Sequence, residues 1–175
     1  ASTLIPDSLE IRASSSAGRI DGALVATDGK VLFNNHYDSP DLRDNAYAFA
    51  DDIVDALTGE PGIALSRLAF VSDVSGFKEI YMCDVDGQRV EQVTRDRSIA
   101  ACPSLSPGGI LLTYTSYASG FPDIYITNLS DGDRQRIISA PGTNSGAAFS
   151  HDGTRLALTI THEGDPEIYL TTVTG

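Results

Sequence analysis

Tryptophan is missing from this 175-residue chain and methionine occurs once, while two cysteines and three histidines are all it offers to soft metals. Cys83 and Cys102 form no Cys-x-x-Cys pair and have no histidine pair nearby, so a zinc or thioredoxin-type site is excluded. Each lies in an apolar, strand-like run, and both are expected to be small buried hydrophobes, with a mutual disulfide as the alternative. Basic residues are scarce: 12 against 24 acids, a formal charge of −12. Such a surface repels phosphate backbones and anionic lipid, so no nucleic acid partner is expected. No apolar run approaches the roughly 20 residues that span a bilayer, so no direct membrane insertion is expected. No basic, then apolar, then small-residue leader opens the chain.

What is present is a repeat. Gly76-Phe77-Lys78-Glu79-Ile80-Tyr81 returns 44 residues later as Gly120-Phe121-Pro122-Asp123-Ile124-Tyr125, and 44 later again as Gly164-Asp165-Pro166-Glu167-Ile168-Tyr169. A fixed period of about 40–45 residues with several short strands per unit marks a β-propeller blade. Arg67–Ser72, Leu111–Ser116 and Arg155–Ile160 supply the strand before each motif, and 89–94 and 134–139 a short strand after the first two. Pro103–Gly109 and Ala147–Gly153 are short strands ending in tight turns. Ile80 and Met82 point to one face and Tyr81 to the other, so both faces are apolar, as stacked blades require. The carboxylate before each Ile-Tyr is expected to meet a backbone N–H or a neighbouring arginine rather than a substrate.

The first third of the chain differs. Residues 1–65 hold 11 acids and 4 bases, and residues 1–19 show little regular pattern, with Ser14–Gly18 reading as a loop. Ile20–Thr27 and Lys30–Tyr37 form a hairpin across Asp28-Gly29. Ser39 is placed to cap a helix, with Pro40 in its first turn and Leu42, Ala46, Phe49, Ile53 and Leu57 as its apolar stripe. Gly59 and Pro61 end it, and Asp51, Asp52 and Asp55 read as a solvated acidic face. The domain reading is residues 1–62 as the C-terminal part of a small α/β domain and 66–175 as an incomplete propeller of about three blades.

The search for chemistry returns no catalytic residue. Asp84-x-Asp86-Gly87 lacks the third oxygen position and distal glutamate of an EF-hand, so it reads as a hairpin turn. His36, His151 and His162 stand without metal-ligand spacing. Asn144-Ser145-Gly146 lacks the strand–elbow–helix setting of a nucleophile, and no phosphate-cradling glycine loop exists. No catalytic residue, metal or cofactor is assigned.

Leu68–Asp73, Glu79–Tyr81, Asp84–Gly87, Gln92–Thr94 and the Phe149–Gly153 turn resemble the TolB family. So does the run from Pro40-Asp41-Leu42-Arg43 through Phe49–Val54 to Leu57–Ile63, which is similar to that family's junction between α/β domain and propeller. The resemblance implies a mostly β fold: a partial, open TolB-like propeller of four-stranded antiparallel blades preceded by a strand-strand-helix segment. It also implies a fragment of a longer, six-bladed protein, stopping within the third blade. It implies a non-enzymatic periplasmic scaffold of the Tol–Pal system that binds the lipoprotein Pal and supports outer-membrane integrity and cell division. The segment through which the family meets TolA has no counterpart here, so TolA binding is in doubt and Pal binding at best partial. The family's Pal-contacting loop maps onto Thr143, Asn144, Ser145 and Gly146, and one repeat earlier onto Ser98, Ile99, Ala100 and Ala101. The alternative is the substrate-gating propeller of a prolyl-oligopeptidase-like serine hydrolase whose catalytic domain is absent from this chain. An isolated piece of this kind is expected to self-associate through its uncovered blade faces.

Overall fold

The computed structural model describes residues 8–162 and 164–174, and divides into two compact units, residues 1–66 and 67–175. In the first unit, strands β1 (Leu9–Ser16), β2 (Arg19–Ala26) and β3 (Val31–Tyr37) make an antiparallel sheet in that order. β1 is a correction to the patternless reading of residues 1–19. Its serines hide an alternation of Leu9, Ile11 and Ala13 with Glu10, Arg12 and Ser14. Ala17 and Gly18, with φ of 52° and 82°, form the two-residue turn with left-handed backbone that a tight hairpin favours.

Helix α1 (Leu42–Thr58) covers this sheet. Its N-cap is Asp41, whose carboxylate accepts the Arg43 N–H, and not Ser39 as the sequence suggested. Ser39 instead donates its backbone N–H to Asn45 Oδ1. Asn45 Nδ2 donates to the carbonyls of Gly18 and Ser39, so a polar side chain is fully spoken for inside the unit. That pull rotates the expected stripe: Asn45 and Phe49 are buried, while Leu42 and Ala46 face solvent. Phe49 meets Phe33 edge-on and Tyr37 obliquely, and lies over Gly22, where a Cβ would come within 2.6 Å of its ring.

The acidic face reading is corrected for Asp51 and Asp52, while Asp55 is exposed as expected. Asp51 accepts the backbone N–H groups of Ala64 and Leu65, and Asp52 accepts Asn35 Nδ2 and the Tyr37 hydroxyl. Burial first, and then that carboxylate, push the Tyr37 phenol well above its usual range.

Among the described residues, the second unit holds three antiparallel sheets. β4 (Arg67–Ser72), β5 (Glu79–Asp84) and β6 (Glu91–Gln92) form the first. β7 (Ala100–Leu105), β8 (Leu111–Ser116), β9 (Asp123–Asn128) and β10 (Arg134–Ile138) form the second. β11 (Asn144–Phe149), β12 (Arg155–His162) and β13 (Asp165–Thr172) form the third. They stack face to face. Ile80, Ala100, Leu112 and Tyr114 pack between the first and second, and Ile124, Ala147, Leu156 and Leu158 between the second and third. Backbone bonds stitch neighbours together: Ala100 N–H to Lys78 O at 2.7 Å, and Asn144 N–H to Pro122 O at 3.3 Å.

Cys83 is buried as expected, but Cys102 is exposed, and both are free thiols. The cause is a bulge in β7 between Ala101 and Ser104, where Cys102 takes φ 53°. The same bulge recurs in β11 with Gly146 at φ 67°. A left-handed position suits glycine, so Cys102→Gly is expected to raise stability by about 0.5–1 kcal/mol, read by urea denaturation. An unchanged or lower midpoint would contradict this account of the bulge.

Candidate functional site

Strand order decides which loops meet. Because consecutive strands run antiparallel, the β4–β5 and β8–β9 turns share one end of the second unit with the connections from β6 to β7 and from β10 to β11. The bonds Tyr117 N–H to Ile99 O and Ala100 N–H to Lys78 O hold these segments together. This end presents apolar side chains to solvent: Val74, Phe77, Ile99 and Phe121, the last at 74% exposure. A cleft of about 420 Å³ opens there between Phe121, Ser119 and the segment Ser139–Gly142, with Arg136 on its wall.

The opposite end exposes Val90 and Ile110 among acidic turns. It carries Asp84, Asp86, Asp131, Asp133 and Asp152 on hairpin turns. The Asp152 carboxyl is held down at about 2 by bonds from the Ser150 hydroxyl and from the Thr154 amide and hydroxyl. Asp84-x-Asp86-Gly87 is one of these turns, with Gly87 at φ 79°. His151 lies exposed in another; Glu163 and the side chain of His162 lie outside the described residues. His36 sits on the other unit's sheet, paired across strands with Asp21, whose carboxyl this bond holds below the usual range. Among the described residues no cluster of three histidines, cysteines or carboxylates could hold a metal, and no helix is long and apolar enough to cross a membrane.

The eight loop residues named from the sequence divide. Ser98, Ile99 and Thr143 lie in the connections themselves, and Ile99 and Thr143 are exposed. Ala100, Ala101, Asn144, Ser145 and Gly146 head the innermost strands β7 and β11. Ala100 and Asn144 are wholly buried, because the strands must extend this far to bond Lys78 and Pro122. Asn144 Nδ2 also donates to the carbonyls of Pro122 and Ala140, while its Oδ1 is buried without a partner among the described residues.

The recurring carboxylate sits at the root of these loops. Glu79, buried, accepts the Arg97 N–H at 2.7 Å and the Thr94 hydroxyl. Asp123, also buried, accepts Ser119 Oγ at 2.7 Å and Arg136 Nη1 at 3.2 Å. Both therefore brace backbone or neighbouring side chains, as the sequence suggested; the third copy, Glu167, accepts the Tyr169 hydroxyl on an exposed face.

A pair that sequence reasoning missed anchors the first connection. Asp96 accepts both Arg134 nitrogens, at 2.6 and 2.9 Å, and the Ser116 hydroxyl. The Arg134 guanidinium also lies 4.1 Å from the centre of the Tyr125 ring. No spacing signal exists for a pair 38 residues apart, one in a connection and the other on β10.

A family model described as the TolB β-propeller domain matches residues 54–175. The chain is 48% identical over 108 residues to a "Protein TolB homolog" of Chlorobium chlorochromatii, covering 58% of this chain and 24% of that relative. It is 44% identical over 86 residues to a "Tol-Pal system protein TolB" of Geobacter sulfurreducens, covering 48% of this chain and 20% of that one. The crystal structure of TolB from Acinetobacter baumannii superposes with a TM-score of 0.79 at 27% identity, over 94% of this chain and 43% of that chain. The chain thus spans about a quarter or less of the length of these sequence relatives.

Proposed function

The chain belongs to the TolB β-propeller family, and we propose that it contributes to a non-enzymatic, periplasmic scaffold of a Tol–Pal system that binds the lipoprotein Pal. The observation that carries the reading is the gathering of Val74, Phe77, Ile99 and Phe121 in exposed loops at one end of the second unit. Exposed apolar side chains gathered at one end of a domain mark a surface that another protein covers. The role in outer-membrane integrity and cell division follows from that partner. Ser98, Ile99, Thr143 and the cleft beside Phe121 are the contacts assigned to Pal; Ala100 and Asn144 shape them from within. TolA is not assigned to these residues.

Titration calorimetry of the chain with purified Pal tests this. Saturable binding is expected, weakened about tenfold or more by Ile99→Asp and by Thr143→Arg, with the melting temperature unchanged. No binding at low or moderate salt, or binding indifferent to both changes, would overturn the assignment.

A further inference from the structure

Between the first and second sheets, the flank holds a groove of about 250 Å³ that begins at the β6–β7 connection. β6 forms one wall, through Val93 and Thr94 just beyond its end, and Leu129 and Arg134 form the other. Tyr114 and Thr127 make the floor. β6 pairs with β5 at only Tyr81–Gln92 and Met82–Glu91, whereas β10 matches β9 along most of its length, and this shortness leaves the groove open.

The charges around it are unequal. Glu91 on the rim is taken by Arg67, and Asp96 is taken by Arg134 and Ser116. Arg95, exposed on the same groove, has no ion-pair partner among the described residues. In a chain with 24 acids and 12 bases, an arginine left unmatched on a concave, part-apolar surface stands out from the general acidity. Arg134 adds a second guanidinium, one-third exposed and fixed in place by Asp96 and the Tyr125 ring.

We propose that this groove binds an extended, carboxylate-bearing peptide segment of a partner protein, its carboxylate on Arg95 and an apolar side chain between Val93 and Leu129. A simple anion would use the arginine alone. The half-buried apolar walls of Val93 and Leu129 beside exposed Arg95 match the alternating side chains of an extended peptide. The site lies on the flank and is independent of the Pal assignment.

Fluorescence anisotropy of the full chain with a fluorescein-labelled peptide of about ten alternating leucines and glutamates tests it. Saturable binding is expected, weakened about tenfold or more by Arg95→Glu and weakened by raising NaCl from about 50 to 500 mM. Lys30→Glu, the same charge change on the other unit, is expected to leave it unchanged. Equal loss in both variants would mean diffuse attraction to charge and overturn the site. Displacement of the peptide by inorganic phosphate alone, or no binding, would overturn it as well.

Discussion

Replacing Gly142 with alanine is expected to destabilise the second unit by about 3 kcal/mol or more, because two penalties fall on one residue. Its φ of 101° is strained for any residue with a Cβ, and that Cβ would lie 1.8 Å from the Thr161 carbonyl oxygen. The obstacle is backbone, fixed in turn by the bond from Thr161 N–H to Thr143 O at 2.8 Å, so it cannot swing aside as a side chain would. Gly120 separates the two penalties: its φ is 92°, but open space surrounds it. Gly120→Ala should therefore cost only about 1–2 kcal/mol, the backbone part alone. Chemical denaturation of both variants measures the difference. Equal losses would mean that the approach to Thr161 is not a constraint.

The second large effect exploits the repeat itself. Ile80, Ile124 and Ile168 occupy one position 44 residues apart, yet the first two are 0% exposed and the third is 73% exposed. Ile124→Ala removes three carbons from between the second and third sheets, where Ala147, Leu156 and Leu158 close around it. A loss of about 2–4 kcal/mol is expected, a large share of a small domain's stability. Ile168→Ala, chemically identical, should change stability by less than about 0.5 kcal/mol. Urea midpoints of the two variants decide: similar losses would contradict the stacking of β9 against β11 and β12.

These isoleucines also show what could be read without coordinates. The 44-residue step, the Glu/Asp-Ile-Tyr strands and the two-sided apolar pattern were legible, because a β ladder fixes which side chain points where. Burial of a given copy was not, since it depends on whether a neighbouring sheet covers it. Cys102 failed for a related reason: a one-residue bulge turns a side chain outward, and only the later Gly146, at the same step of the repeat, hints at it. Residues 9–16 are not legible as a strand because serine weakens an alternation that hydrogen bonding to β2 still enforces. Ser39 looked a better cap than Asp41 because capping preference is local, whereas Asn45 draws on Gly18, 27 residues away. At the loop end, Ser98, Ile99 and Thr143 were placed by motif, but the Asp96–Arg134 bond joins residues with no shared pattern.

The recurring carboxylate has a consequence for how such a chain can diversify. Glu79 closes on a backbone amide and a threonine, Asp123 on a serine and an arginine. One anionic socket at a fixed address thus accepts whichever donor the adjacent turn brings. Loop sequences can drift, lengthen or be exchanged between copies while the frame beneath stays in register. Novelty at the rim is thereby uncoupled from inheritance at the root.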